Sequence, residues 1–234
     1  DPPDILGLSN YSWNSNLSEY FAKTTKKLNP KCIVIQGGTN FPHTQEEQKK
    51  FLLERPDTDL YVLFEGERST LKVVERYLEV QKNLKLFFDK PIDGCTFIEP
   101  KPRNSSEPKL VTGKYLERIK DLDEIPSPYL NGTLDKFFDG KLTPFIETNR
   151  GCPFTCSFCH TGSAYYHKLN KFSETRVKDE IDYIGKKCNE LHITNLHMAD
   201  VNFCMYPQDK QVCEFLLESK KKYNWPLQIM ATTG

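Results

Sequence analysis

Three cysteines lie within eight residues of one another, at Cys152, Cys156 and Cys159, with the spacing Cys-x3-Cys-x2-Cys. We expect so short a loop to bring three thiolates within a few ångströms of each other, where they bind a metal or repel one another. Such a tripod suits a 4Fe–4S cluster with one open iron, because these clusters are normally held by four cysteines. The fourth ligand would then come from elsewhere in the chain or from a small molecule.

Other metal sites have to be weighed against this prediction. Zinc binds three cysteines and one histidine, and His160 and His167 lie close to the cysteines. Structural zinc sites, however, usually combine two Cys-x2-4-Cys pairs, and the sequence has no second pair. Ferredoxin-type spacings of the cysteines do not fit either. The sequence therefore favours the open cluster, and a non-catalytic zinc or iron–sulfur binding module remains an alternative.

The same stretch resembles the cluster loop of the radical S-adenosylmethionine (SAM) enzymes, including the aromatic Phe158 just before the last cysteine. The resemblance implies that SAM chelates the open iron through its amino and carboxylate groups. It also implies reductive cleavage of SAM to a 5′-deoxyadenosyl radical, which starts the chemistry. Phe158 would pack near the adenine, and His160 would make a backbone contact to it.

The composition excludes several other classes of function. With 234 residues, 38% of them hydrophobic, the chain can form one large or two ordinary domains. Its 32 basic and 32 acidic residues cancel, so we expect neither nucleic-acid nor membrane-surface binding. No apolar run approaches the ~18 residues of a membrane span, and no signal peptide is visible. Because the chain starts at Asp1 and ends at Gly234, both beside predicted strands, we expect a fragment cut at both ends.

The remaining five cysteines are scattered along the chain. We expect each to be a small, buried apolar residue; they are Cys32, Cys95, Cys188, Cys204 and Cys213. A disulfide framework is typical of small secreted chains, and nothing here indicates secretion. The predicted compartment is therefore the reducing cytoplasm.

Strands and helices alternate in the first third of the chain. Strands are predicted over 4–9, 32–36 and 60–64, and helices over 17–28, 45–53 and 71–79. The strands are apolar throughout, which indicates a parallel sheet covered on both faces. Ligands of such sheets bind beyond the carboxyl ends of the strands. The polar or glycine-rich loops expected there contain Ser9, Gly37, Gly38, Glu65 and Gly66.

These loops are similar to the later part of the cobalamin-binding domain that precedes many radical SAM domains. The resemblance implies that cobalamin lies over them and that the first strand of that domain is missing upstream of Asp1. No Asp-x-His-x-x-Gly cobalt-ligand motif occurs in the sequence. Without the resemblance, two glycines after a strand more often mark only a turn.

A small hairpin is predicted next, in which 94–98 pairs with 109–111 around the polar run 101–108. An extended connector over 119–130 then leads to the second half of the chain. Predicted strands over 144–148, 191–198 and 227–230 alternate with helices over 174–187 and from 209, and Ser173 or Thr175 caps the first helix. This is half of the partial (β/α) barrel that the resemblance implies. Chemistry in barrels lies at the carboxyl ends of strands, where Asp200 would face SAM or the substrate and Asn202, Thr232 and Thr233 are similarly placed.

The predicted fold is therefore α/β: a partial Rossmann-like cobalamin-binding domain (1–108), a bridging linker (109–142) and an incomplete radical SAM (β/α) partial barrel (143–234). The predicted function is a cobalamin-dependent radical SAM enzyme that transfers a methyl group to an unactivated carbon. Another radical SAM rearrangement, cyclisation or methylthiolation is the alternative. The expected cofactors are a 4Fe–4S cluster, SAM and cobalamin. The expected partners are a small-molecule or natural-product-like substrate and an electron donor such as flavodoxin or ferredoxin.

Overall fold

A computed structural model describes residues 2–100 and 107–233 of the chain. The chain divides into two compact units, Asp1–Arg118 and Ile119–Gly234. The terminal residues Asp1 and Gly234 and most of the polar run predicted at 101–108 lie outside the described residues. No helix in the described ranges is long and apolar enough to cross a membrane.

The first unit is built on a mixed sheet of five strands in sequence order. The strands are β1 (Ile5–Ser9), β2 (Ile33–Gly37), β3 (Leu60–Val62), β4 (Cys95–Ile98) and β5 (Leu110–Thr112). Strands β1, β2 and β3 are parallel to one another. Strand β4 is antiparallel to β3, and β5 is antiparallel to β4. The predicted small hairpin is thus confirmed as the β4–β5 pair, and it extends the first sheet.

The helices of the first unit are α1 (Ser15–Leu28), α2 (Gln45–Leu53), α3 (Gly66–Glu79) and the short α4 (Leu84–Phe87). The apolar run of strand β2 is continuous because both faces of the strand are buried. Ile33 and Ile35 face one core cluster, while Val34 faces another cluster with Ala22 of α1. Both faces of β2 are covered, as the sequence predicted.

Two details of the first unit differ from the prediction. Helix α3 begins at Gly66, so only Glu65 of the predicted loop precedes it. Strand β3 ends before Phe64, because the φ of 60° at Phe64 interrupts the extended chain. The second difference concerns α1. Its small residues Ser18 and Ala22 are buried, while the apolar stripe that predicted the helix is largely exposed; the stripe consists of Leu17, Tyr20, Phe21 and Leu28.

The second unit contains a parallel sheet in the order β10-β9-β6 and a two-stranded β7–β8 pair. The strands are β6 (Phe145–Ile146), β7 (Asn149–Arg150), β8 (Asn170–Lys171), β9 (Asn195–Met198) and β10 (Gln228–Met230). Helices α5 (Glu174–Glu190) and α6 (Asp209–Tyr223) connect the parallel strands. The predicted β-α-β-α-β order is confirmed, and Ser173 is the cap of α5, because its side chain accepts a hydrogen bond from the amide of Arg176.

The strand predicted over 191–198 is shorter than expected. It begins at Asn195, because α5 continues to Glu190 and His192 adopts a φ of 56°, which a β-strand does not allow. The core of this unit packs the parallel sheet against both helices. Its most deeply buried members are Leu122, Ile146, Ile181, Ile184, Cys188, Leu196, Met198 and Trp225.

Candidate functional site

The cysteine loop follows the carboxyl end of β6, one strand away from the loop that follows β9. Phe145 pairs with His197 and Ile146 with Met198, so these two parallel strands end side by side. The amide of Ala199 also donates to the carbonyl of Ile146, at 2.7 Å. Residues that follow the two strands therefore meet, although about 50 residues separate them in sequence.

Asp200 ties these two loops together. It is 1% exposed, and its Oδ1 accepts hydrogen bonds from the amides of Thr148 and Asn149, at 2.7 and 3.2 Å. Its Oδ2 accepts from the Thr148 hydroxyl and, at 3.0 Å, from Asn149 Nδ2. Burial raises the pKa of the Asp200 carboxyl, while these hydrogen bonds act in the opposite direction. Both oxygens of the side chain that was predicted to face SAM are therefore used to hold the start of the cysteine loop.

Cys152 is the buried member of the three cysteines, with 6% of its surface exposed. Its amide donates to the carbonyl of Tyr166, at 2.8 Å, and its Sγ accepts a hydrogen bond from Asn202 Nδ2, at 3.2 Å. Gly151 precedes it with a φ of 120°, and a Cβ at this position would lie 2.4 Å from the carbonyl oxygen of Lys168. Only glycine allows the backbone at this position to lie so close to the Lys168 carbonyl.

Cys156 and Cys159 are exposed and share one turn, in which the amide of Cys159 donates to the carbonyl of Cys156, at 3.1 Å. Cys159 Sγ lies 3.0 Å from the hydroxyl of Thr161. That hydrogen bond lowers the pKa of the Cys159 thiol, because it stabilises the thiolate. Cys159 is thus prepared to act as a ligand, since metals bind the thiolate form.

The three thiols do not form a ready-made metal site. Within 2–100 and 107–233, no group of three or more His, Cys, Asp or Glu side chains is placed to hold a metal ion. The assignment of Cys152, Cys156 and Cys159 as metal ligands stays a prediction. Cys152 is buried and hydrogen-bonded to Asn202, whereas Cys156 and Cys159 are exposed in a turn of their own. All eight cysteines are free thiols.

Phe158 and His160, the residues expected to contact the adenine, lie on the same exposed loop. The Phe158 side chain is 92% exposed. His160 Nε2 forms a hydrogen bond with the hydroxyl of Tyr166, at 3.1 Å. His167 Nε2 is paired with the carbonyl of Gly162, at 3.0 Å. The two histidines considered for zinc are thus both engaged within the loop, and the adenine contacts of Phe158 and His160 stay predictions.

In the first unit, the carboxyl ends of β1, β2 and β3 bring five predicted cofactor-binding residues to one edge of the sheet; they are Ser9, Gly37, Gly38, Glu65 and Gly66. Ser9 is exposed, and its Oγ accepts a hydrogen bond from Asn14 Nδ2, at 2.7 Å. Glu65 pairs with Arg118 Nε at 3.4 Å and immediately precedes α3. Their contacts with cobalamin stay predictions.

A buried polar network behind this edge was not predicted from the sequence. Asn10 is fully buried, and its Nδ2 donates to the carbonyl of Asn40, at 2.7 Å, and to the Tyr61 hydroxyl, at 3.2 Å. The Tyr61 hydroxyl in turn donates to the carbonyl of Gly38, at 2.9 Å. Burial raises the pKa of Tyr61 to about 12, so the hydroxyl keeps its proton. An asparagine directly after an apolar strand was the only signal for this network.

The other cysteines show where the burial prediction succeeds and fails. Cys32, Cys95 and Cys188 are buried, as predicted, and burial raises the pKa of both Cys95 and Cys188 to about 12. Cys213 is only half-buried. The prediction is wrong for Cys204, which is exposed because it lies in the turn after β9 with a φ of 67°.

Comparison with known proteins shows that the chain is similar to methyltransferases. It is 30% identical over 233 residues to the cobalamin-dependent radical SAM methyltransferase TokK of Streptomyces tokunonensis, covering 97% of this chain and 31% of TokK. It is also 30% identical over 225 residues to the 2-(S-pantetheinyl)-carbapenam-3-carboxylate methyltransferase of Streptantibioticus cattleyicolor, covering 93% and 30% of the two chains. No family model matches the chain.

The fold is similar to that of a solved structure, the apo, selenomethionine-labelled, cobalamin-dependent S-adenosylmethionine radical enzyme OxsB. The TM-score is 0.65 at 21% identity, and the match covers 99% of this chain and 30% of OxsB. The α/β architecture of both units therefore has a known counterpart. The chain spans less than a third of the length of each of these three proteins.

Proposed function

This chain is a relative of the cobalamin-dependent radical SAM enzymes, and from that premise we propose that it is part of such an enzyme, a methyltransferase acting on an unactivated carbon. The observation that carries the proposal is the position of Cys152, Cys156 and Cys159. They follow β6, beside the end of β9, where a parallel α/β sheet places its ligands.

The chemistry of the donor set fits a 4Fe–4S cluster with one iron left open. The loop offers three thiols, and both nearby histidines are already hydrogen-bonded within it. Cluster assembly has to bring the exposed Cys156 and Cys159 to the buried Cys152, and metal binding commonly supplies the free energy for such local ordering.

When bound, the cluster supplies the electron that cleaves SAM to a 5′-deoxyadenosyl radical, and cobalamin supplies the methyl carrier. The chain's own residues hold and orient these groups. Phe158 and His160 are proposed to contact the adenine of SAM. Asp200 is proposed to act on the SAM site by fixing Thr148 and Asn149, since both of its carboxylate oxygens are engaged there.

In the first unit, we assign cobalamin to the edge formed by the carboxyl ends of β1, β2 and β3. Support comes from the exposed Ser9 and from the glycines that end β2, where backbone can approach a ligand closely. The buried Asn10–Tyr61 pair is hydrogen-bonded to this edge through the carbonyl of Gly38. The domain limits 1–108, 109–142 and 143–234 are part of this proposal.

The remaining parts of the proposal concern the surroundings of the enzyme. The substrate is proposed to be a small, natural-product-like molecule, and the electron donor a flavodoxin or a ferredoxin. The compartment is proposed to be the cytoplasm, because a cluster bound by exposed cysteines needs a reducing environment.

The test is anaerobic reconstitution of the full-length protein with iron and sulfide. We expect the absorption of a 4Fe–4S cluster and, with a reductant and SAM, formation of 5′-deoxyadenosine. Replacement of Cys156 by alanine should abolish both signals, because it removes one of three ligands. The matched control is Cys204→Ala, which changes another exposed cysteine and should retain both signals.

Two results would overturn the proposal. One is zinc in place of iron in the purified protein, measured by elemental analysis. The other is a Cys156→Ala protein that keeps both the cluster absorption and 5′-deoxyadenosine formation. Cobalamin is tested by adding it to the same preparations, and the protein should retain it through gel filtration.

A further inference from the structure

We propose that Asn202 is a positioning residue for the cluster ligand Cys152 and that its side-chain N–H raises the reduction potential of the cluster. This inference rests on the proposed function, because it assigns Cys152 as a ligand. It concerns a residue on the loop after β9, outside the cysteine motif. Its basis is the hydrogen bond of 3.2 Å from Asn202 Nδ2 to Cys152 Sγ.

Both partners of this hydrogen bond are buried, with 8% of Asn202 and 6% of Cys152 exposed. Water therefore competes little with the contact, and the low local dielectric strengthens it. The second N–H of the same Asn202 amide points to the Tyr206 hydroxyl, at 3.3 Å. A ligand thiolate carries no proton, so only the N–H end of the amide can face it favourably.

The loop that carries Asn202 is anchored on both sides. Before Asn202, Asp200 holds Thr148 and Asn149 through hydrogen bonds to both carboxylate oxygens. After it, the amide of Phe203 donates to the carbonyl of Thr232, at 2.8 Å. Asn202 is thus presented to Cys152 from a fixed backbone, which is the requirement for a positioning residue.

The expected electronic effect follows from charge. Reduction adds one negative charge to the cluster and its sulfur ligands, and an N–H donor to a ligand sulfur stabilises that added charge. Removing the donor should therefore shift the potential to more negative values. Asn202 acts on the buried ligand, whereas the Thr161 hydroxyl that contacts Cys159 lies at an exposed one.

The test measures the potential of the reconstituted full-length protein by redox titration followed by electron paramagnetic resonance. Asn202→Leu removes the donor at similar volume, and Asn202→Asp replaces it with an acceptor of the same shape. We expect a negative shift in both, and a larger one for Asn202→Asp, at unchanged iron per chain. The matched control, Asn189→Leu, changes an exposed asparagine on α5 and should leave the potential unaltered.

A second measurement needs no cluster. In the metal-free protein, the rate of alkylation of Cys152 is followed by mass spectrometry, with the exposed Cys204 as an internal standard. Asn202→Ala should raise the alkylation rate of Cys152 relative to that of Cys204 several-fold. The substitution removes the side chain that is hydrogen-bonded to the Cys152 sulfur and shields it from solvent. The ratio is read for protein whose circular dichroism matches the wild type.

The outcomes separate this inference from the proposed function. A wild-type protein that assembles no 4Fe–4S cluster refutes the proposed function, while the alkylation ratio still tests the hydrogen bond between Asn202 and Cys152. A cluster whose potential is the same in wild type, Asn202→Leu and Asn202→Asp overturns the role of Asn202 and leaves the function standing. An unaltered alkylation ratio in Asn202→Ala likewise contradicts the positioning role.

Discussion

Single residues in this protein act through backbone geometry as much as through chemistry. Gly38 was predicted as a cofactor-binding residue because its loop resembles one of the cobalamin-binding domain, and the structure adds a local requirement. Its φ is 125°, and a Cβ would lie 2.6 Å from the carbonyl oxygen of Asn10. Glycine is thus needed here for the fold of the loop, whether or not a ligand approaches it.

Gly38→Ala should therefore lower the free energy of unfolding by about 2 kcal/mol or more, through strain at positive φ and the clash with Asn10. Chemical denaturation followed by circular dichroism measures this. The matched control is Gly7→Ala in β1, where an added Cβ meets nothing within 4 Å. That change should be neutral or stabilise by up to about 1 kcal/mol. Equal effects of the two substitutions would contradict the argument.

At the scale of elements, the stretch 119–130 belongs to the core of the second unit. Ile119, Leu122 and Tyr129 are buried there. The polar anchor is Glu180 on α5, which accepts hydrogen bonds from Ser127 Oγ, at 2.5 Å, and from Arg176 Nε, at 2.6 Å. Two prolines and many charges predicted an extended connector. The prediction is wrong for Leu122–Glu124, which form a 3-10 helix. The stretch is held in the second unit because its apolar residues join the core and Ser127 bonds to Glu180 of α5.

Glu180→Gln should destabilise the second unit by about 3 kcal/mol, because it leaves Arg176, whose side chain is 13% exposed, without its counter-charge. The control is Glu218→Gln, since Glu218 pairs with Lys178 at the surface with more than half of each side chain exposed. Loss of that pair should cost less than about 1 kcal/mol. Thermal unfolding compares the two variants, and a cost for Glu180→Gln no larger than that for Glu218→Gln would refute the anchor.

At the scale of the whole molecule, the cysteines differ in exposure: four are buried, three are exposed and Cys213 is half-buried. The thiols of Cys95 and Cys188 are buried, and burial raises the pKa of each to about 12. Cys156, Cys159 and Cys204 are exposed. The protein thus protects its structural thiols while presenting two of the three proposed ligands to solvent, where a cluster can be assembled.

Alkylation of the native, metal-free protein should follow this division. At about pH 8, Cys156, Cys159 and Cys204 should react first, since the thiolate is the reactive form. A raised pKa means that Cys95 and Cys188 remain protonated at this pH and up to pH values approaching 12, so they should stay unlabelled until the protein unfolds. After cluster assembly, Cys156 and Cys159 should become protected and Cys204 should not. Peptide mass spectrometry reads each site, and rapid labelling of Cys188 in folded protein would disprove the division.

Local patterns in the sequence determined the order of strands and helices, the parallel β-α-β-α-β unit, the cap at Ser173 and the cysteine motif. They do so because hydrophobic period and ligand spacing are properties of neighbouring residues. The predicted burial of Cys204 failed because a positive φ after β9 turns it outward. The same limit applies to α1, whose small residues pack on the sheet in place of its larger apolar ones.

Tertiary structure alone decided which residues meet at the site. The pairing of β6 with β9 brings Asp200 to Thr148 and Asn202 to Cys152, across about 50 residues of sequence. It also decided that the β4–β5 hairpin completes the first sheet. No local pattern encodes these contacts, because they depend on the register between strands, which is set by the packing of the whole sheet against its helices.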